Sequence, residues 1–209
     1  ITFHYHALEK GMSNANLRLG FGNNAFKGLF ESMELYKKSN YSLNDIRYMT
    51  ALSTINQYIK LHRDKNFNVF EIETKYNQLL PSEYSKDDID NLGGYYNYTK
   101  ADLLSYKDAS FDVLAEKRYS VRDFGPEPVE LNLIDDAIKI ATKTPSVCNR
   151  QAWKVYVIKN IDMIKYVLMN QNGLTGNGSN LDTLLVITCD NQYLGGFNER
   201  NQSFVDGGM

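Results

Sequence analysis

Two guanidiniums and a hydroxyl stand at alternate positions in Arg118-Tyr119-Ser120-Val121-Arg122-Asp123-Phe124. Extended side chains repeat every second residue, so in an extended segment Arg118, Ser120 and Arg122 can converge on one anionic ligand. Arginine suits that task, because its planar fork of donors matches phosphate and its charge is permanent. A second stretch, Thr144-Pro145-Ser146-Val147-Cys148-Asn149-Arg150-Gln151-Ala152-Trp153, offers short polar groups after a proline-fixed turn, suited to a ligand's hydrogen-bonding edge. His4-x-His6 has ligating side chains, but no acidic or histidine partner at helical spacing is read beside it, so no metal site is expected. Cys148 and Cys189 make neither a disulfide framework nor a zinc site. With no basic partner assigned to it, Cys148 reads as inert packing.

RYSVRDF, then a helix, then TPSVCNRQAW feeding a strand resembles the nitroreductase-like flavoprotein family. The resemblance runs from about Phe111 to the last residue, roughly half the chain. Arg-x-Ser-x-Arg alone is a weak signal; its ordered combination with Pro-Ser-x-x-Asn-x-Gln-x-Trp is strong. The resemblance implies an α+β fold, a three-layer sandwich around a mixed β-sheet, that binds FMN without a Rossmann fingerprint. Residues 106–209 would form this FMN-binding domain and residues 1–105 an N-terminal helical extension.

By that resemblance Arg118 reaches the phosphate or ribityl chain, Ser120 bonds the ribityl or pyrimidine edge, and Arg122 sits near the N1/O2 end. A cation there stabilises the negative charge of reduced flavin. Tyr119 belongs to the same binding segment. Pro145, Ser146, Val147, Asn149 and Gln151 match positions that in relatives reach FMN bound mainly by the neighbouring subunit, which implies a two-fold homodimer. Gln171 or Asn172 would approach the pyrimidine ring. Val147 and Cys148 depart from the small hydroxyl residues of many relatives, moving hydrogen bonds to backbone groups or losing them, and Ala152 replaces a common proline. The implied reaction has two half-steps: NAD(P)H gives a hydride to flavin N5, then an electron-poor acceptor such as a nitroaromatic or quinone takes its place. The cofactor carries that chemistry, so no catalytic side chain is named. Two alternatives stay open: a specialised relative (dehalogenation, heterocycle dehydrogenation or flavin fragmentation) and a non-enzymatic interaction module on a degenerate flavin fold.

The elements that would position these residues follow from periodicity. Phe26, Leu29, Phe30, Met33 and Tyr36 share one helical face, as do Ile46, Met49, Leu52, Ile55 and Ile59, and Val69, Ile72, Tyr76, Leu79 and Leu80. These stripes read as the core of a helical subdomain over Ala25–Leu80. Ser42-x-x-Asp45 resembles a capping box before the second helix, and Leu19–Gly22 reads as a helix stop. Glu9 and Lys10 read as an ion pair, and Ser82–Asp90 as a surface linker. Gly93-Gly94 permits positive φ or close backbone approach. The tyrosines that follow could cover a ligand or a partner, or be half-buried surface aromatics. Phe111–Lys117 is predicted to be a helix with Phe111, Leu114 and Ala115 inward. Pro128 suits a first helical position, and Ile134, Ala137, Ile138 and Ala141 mark a buried helical face. Residues 153–158 alternate as a strand, 161–169 form a helix, and Thr183–Thr188 a buried strand. Gly173, Gly176 and Gly178 precede a strand in the wrong spacing for dinucleotide binding.

A net charge of −2 over 209 residues gives no basic footprint for nucleic acid. No apolar run approaches the ~20 residues that span a bilayer, and no secretory leader is read at the start. With two cysteines only, a reducing, cytoplasmic location is expected. The chain opens at Ile1 and stops at Met209 with no closing element, so a C-terminal part of the family fold is expected beyond it.

Overall fold

The computed structural model describes residues 1–85, 88–89, 91–174 and 180–209. The chain is α+β, compatible with a nitroreductase-like fold preceded by helices. It divides into two compact units, Ile1–Arg122 and Asp123–Met209.

The first unit is built around a helix buried on nearly every side. α3 (Ile46–Arg63) buries Tyr48, Met49, Leu52, Ile55, Tyr58, Ile59 and His62, and also Ser53, Thr54 and Asn56. A helix without a solvent face needs neighbours all round. They are α1 (Thr2–Met12), α2 (Asn23–Lys38) and α4 (Phe70–Leu79). The apolar stripes expected of α2 and α4 are core: Phe26, Leu29, Phe30, Met33, Val69, Tyr76 and Leu79 are buried. Ile46 departs from its stripe and is exposed, because it is the first residue of α3 and lies before its buried turns.

Asp45 caps α3 directly, accepting from the Arg47 N–H at 2.8 Å, so the expected Ser42 box is not how the helix starts. The Arg47 side chain returns to both carboxylate oxygens at 3.0 and 2.9 Å. These bonds hold Asp45 down at about 2. Buried polar groups on α3 are matched, as burial requires. The Tyr48 hydroxyl donates to the Leu79 carbonyl and Tyr58 to that of Phe21, each at 2.9 Å.

Leu19–Gly22 does not stop a helix. α1 already ends at Met12, and Gly22, at φ +88°, is the residue from which α2 begins. Its left-handed backbone is the reason for glycine there. His6 has an acidic partner after all, Glu9 at 3.1 Å. Glu9 also accepts from the Gly94 N–H at 3.0 Å and faces the Thr54 hydroxyl at 3.4 Å, so it ties α1 to a distant loop. Both glycines of that loop are used. Gly94 sits at φ +117°, and a Cβ on Gly93 would meet Thr50 of α3 at 2.6 Å. Lys86, Asp87 and Asp90 of the expected linker lie outside the described residues.

Short helices α5 (Lys100–Leu104) and α6 (Phe111–Lys117) close this unit. α6 has the predicted bounds but not the predicted inward face: Phe111 is 85% exposed, and Leu114 and Ala115 are exposed too. Seven residues give two turns, too few for periodicity to tell a buried face from an apolar one that stays in solvent.

In the second unit α7 (Leu131–Ala141) begins three residues after Pro128, with Glu130 before its first turn. Pro128 is therefore outside the helix. Of its expected buried face Ile134 is buried and Ile138 half-buried, while Ala137 and Ala141 are exposed. β1 (Trp153–Ile158), α8 (Ile161–Met169), β2 (Leu184–Cys189) and α9 (Gln202–Gly208) follow. β1 and β2 pair antiparallel, from Trp153 opposite Cys189 to Ile158 opposite Leu184. Among the described residues the sheet is this pair, and β2 alternates between half-buried and exposed positions instead of being buried throughout. The sheet meets α9 on the face of Cys189 and Ile187. Gly176 and Gly178 lie outside the described residues.

Candidate functional site

α6 delivers the chain to Arg118, whose φ of −71° and ψ of 123° end the helix in an extended turn. Residues 119–122 all keep negative φ. Residues 118–122 lie outside any helix or strand, which leaves alternate presentation of Arg118, Ser120 and Arg122 open to the segment. Arg118 and Ser120 are exposed and Arg122 is half-buried. Among the described residues none of these three side chains has a hydrogen-bond or ion-pair partner. Two cations beside an uncommitted hydroxyl fit a phosphate-bearing ligand, since every donor is free to turn to it.

Tyr119 is committed elsewhere. Its ring stacks on Tyr98 at 5.1 Å between centroids and stands 5.7 Å from Tyr96. The Tyr119 hydroxyl beside it, with desolvation second, pushes the Tyr98 phenol up to about 12. These tyrosines are partly exposed surface aromatics packed on the motif itself.

The Pro145–Gln151 stretch is a turn held in a costly backbone shape. Cys148, Asn149 and Gln151 have φ of 50°, 54° and 49°. Asn tolerates the left-handed region; Cys and Gln adopt it rarely, at a cost of order 1–3 kcal/mol each. Side chains hold the turn in place. The Ser146 hydroxyl accepts from the Gln151 N–H at 3.0 Å. The Val147 N–H donates to Asp206 at 3.1 Å, and Asp206 also accepts from Gln202 at 2.7 Å. Arg150 donates to the Tyr193 carbonyl at 3.0 Å and to Glu199 at 2.5 Å. That bond to Arg150 and one from the Gly195 N–H keep the Glu199 carboxyl below its ordinary value.

One expectation changes here. Cys148 is exposed, not packed, and the Arg150 guanidinium lies 3.8 Å from its sulfur. Ala152, standing where relatives often have proline, is buried, and its carbonyl accepts from the Asp190 N–H at 2.8 Å. The Asn149 side chain has no hydrogen-bond partner among the described residues, whereas Gln151 reaches the Thr142 carbonyl at 3.4 Å. Gln171 folds back, accepting from the Leu174 N–H at 3.0 Å and donating to the Leu168 carbonyl at 3.4 Å. Asp206 and Glu199 were not legible as supports of this turn. They lie 59 and 49 residues from their partners, and no local pattern links them.

Residues 115–171 match the model of the Nitroreductase family. The match begins inside α6 and takes in every residue assigned above to FMN except Asn172. It is consistent with a nitroreductase-like protein and suggests flavin-dependent oxidoreductase activity. Family members typically bind flavin and generally act on small molecules. No curated protein and no solved structure matches the chain. Among the described residues, no helix is long and apolar enough to cross a membrane.

Proposed function

We propose that the chain is an FMN-dependent oxidoreductase that takes reducing equivalents from NAD(P)H and passes them to an electron-poor acceptor of the nitroaromatic or quinone class. The observation that carries this reading is the pair of guanidiniums, Arg118 and Arg122, unpartnered among the described residues and flanking Ser120 within the span of the family match. FMN, when bound, supplies the hydride-transfer chemistry. The chain's own residues bind and orient it. Arg118 holds the phosphate or ribityl chain, Ser120 the ribityl or pyrimidine edge, and Arg122 lends positive charge to the N1/O2 end. Pro145, Ser146, Val147, Asn149 and Gln151 contribute from a second copy of the chain, with Gln171 or Asn172 near the pyrimidine.

A homodimer is supported by the apolar surface of residues 123–209. Leu133, Ile140, Met169, Phe197 and Phe204 are all exposed, apolar side chains that a partner copy would cover. A reducing, cytoplasmic setting agrees with both cysteines being free thiols. One observation favours the non-enzymatic alternative: the Val147 N–H, a donor that could face a ligand, is engaged by Asp206.

The test is Arg118→Ala in the full chain, followed by flavin titration. Losing a charged hydrogen bond to phosphate is expected to weaken FMN binding by about 10- to 100-fold with folding retained. Undiminished affinity in Arg118→Ala would remove the assignment. A wild-type chain that shows no flavin band at saturating FMN would favour the non-enzymatic module.

A further inference from the structure

We propose that Tyr96 and Tyr98 are positioning residues, which clamp Tyr119 from behind and so fix the backbone on which Arg118 is presented to the phosphate or ribityl chain of the flavin, with Ser120 and Arg122 beyond it. The inference rests on the flavin reading above and deepens it, since it gives the preceding loop a part in cofactor selection.

In an extended segment Tyr119 points away from the side shared by Arg118 and Ser120. On that far side three rings gather. Tyr98 lies over Tyr119 with 28° between planes, Tyr96 meets Tyr119 at 45°, and Tyr96 and Tyr98 are 6.2 Å apart. Offset and tilted pairs at these separations attract beyond their area of contact. Among the described residues, no backbone hydrogen bond outside helices and strands involves residues 119–122.

The loop that carries the clamp is itself anchored. The Gly93 N–H donates to Ser53, and the Ser53 hydroxyl to the Gly93 carbonyl, both at 3.1 Å. Gly94 donates to Glu9 and the Tyr95 N–H to Gln57, both at 3.0 Å. Tyr96 closes the loop with a 3.1 Å bond from its hydroxyl to the Asn91 carbonyl. Rigidity therefore runs from the buried helix α3, through the glycine pair and the tyrosines, to the arginine segment. A clamp that orients cations must favour a ligand carrying phosphate over the same ligand without it.

The experiment compares FMN with riboflavin, which lacks the phosphate. Dissociation constants for both are measured by flavin fluorescence on the full chain as wild type, as Tyr98→Phe, and as the Tyr96→Ala, Tyr98→Ala double variant. Circular dichroism and thermal melts confirm folding, and if the double variant does not fold, Tyr98→Leu replaces it. The double variant is expected to lose about five- to tenfold in FMN affinity and less, about twofold, in riboflavin affinity. Tyr98→Phe, which keeps the ring, should stay within about twofold of wild type. Unchanged FMN affinity in the double variant, or equal losses for the two flavins, overturns the clamp while leaving the flavin reading intact. A wild-type chain that binds no FMN overturns both.

Discussion

Arg118 and Arg122 owe their proposed role to what they do not touch. Arg47 finds Asp45, Arg63 finds Glu73 and Arg150 finds Glu199. These two have no such partner among the described residues. Asp206 shows the opposite arrangement, a buried carboxylate that accepts from Val147 and from Gln202. Asp206→Ala would leave the Val147 N–H unsatisfied and is expected to cost about 1–3 kcal/mol, while Asp206→Asn, which keeps an acceptor, should cost less. Chemical denaturation of the two variants checks this, and equal midpoints would show that the bond does not hold the turn. His62 makes a residue-scale prediction in pH. Its ring stacks on Tyr58 at 3.7 Å, its Nδ1–H donates to the Tyr58 carbonyl, and Nε2 accepts from the Gly20 N–H at 3.2 Å. Burial, outweighing the opposing bond to Tyr58, holds its pKa below the ordinary value. A histidine shifted this way protonates first in the unfolded chain. Stability is therefore lost as pH falls through the ordinary value near ~6.5 toward the lower folded one. Melting temperature should drop between about pH 7.5 and about pH 5.5 in wild type, and drop less in His62→Phe. Parallel curves for the two proteins would rule His62 out as the source.

Among the elements, α3 and the Gly93-Gly94 loop organise the first unit. A Cβ on Gly94 would come within 2.0 Å of the Gln57 side chain, and its φ is +117°. Gly94→Ala is expected to destabilise by about 1–3 kcal/mol, from strain and overpacking together. A melt unchanged by that substitution would mean the loop is not anchored as described. The same elements show what a sequence reveals. β1 and α8 have the predicted bounds, because alternation and a 3.6-residue period are strong over six to nine residues. The start of α3 was misplaced because Ser42 and Asp45 are both good caps, and only the geometry of Arg47 decides between them. The inward face of α6 was misjudged because an apolar stripe records which residues could be buried, not whether anything covers them.

At the scale of the whole molecule, the motif within the family match could be read in the sequence, and the contacts behind it could not. Arg118, Ser120, Arg122 and the Pro145–Gln151 turn stood out by type and spacing. The strained backbone at Cys148 and Gln151, and the remote carboxylates that hold it, depend on contacts across long stretches of chain. Tyr96 and Tyr98 were visible as a cluster, but their contact with Tyr119 emerges only in three dimensions. The first unit thus joins a helical core to the arginine segment, and the second carries the turn and the sheet. The central claim is that the chain holds an anionic flavin. An equilibrium titration of the full chain with FMN, followed by flavin fluorescence, tests it most directly. The account predicts saturable binding of one FMN per chain that weakens as salt is raised, because the grip is electrostatic. Fluorescence identical to free FMN at every protein concentration would contradict it.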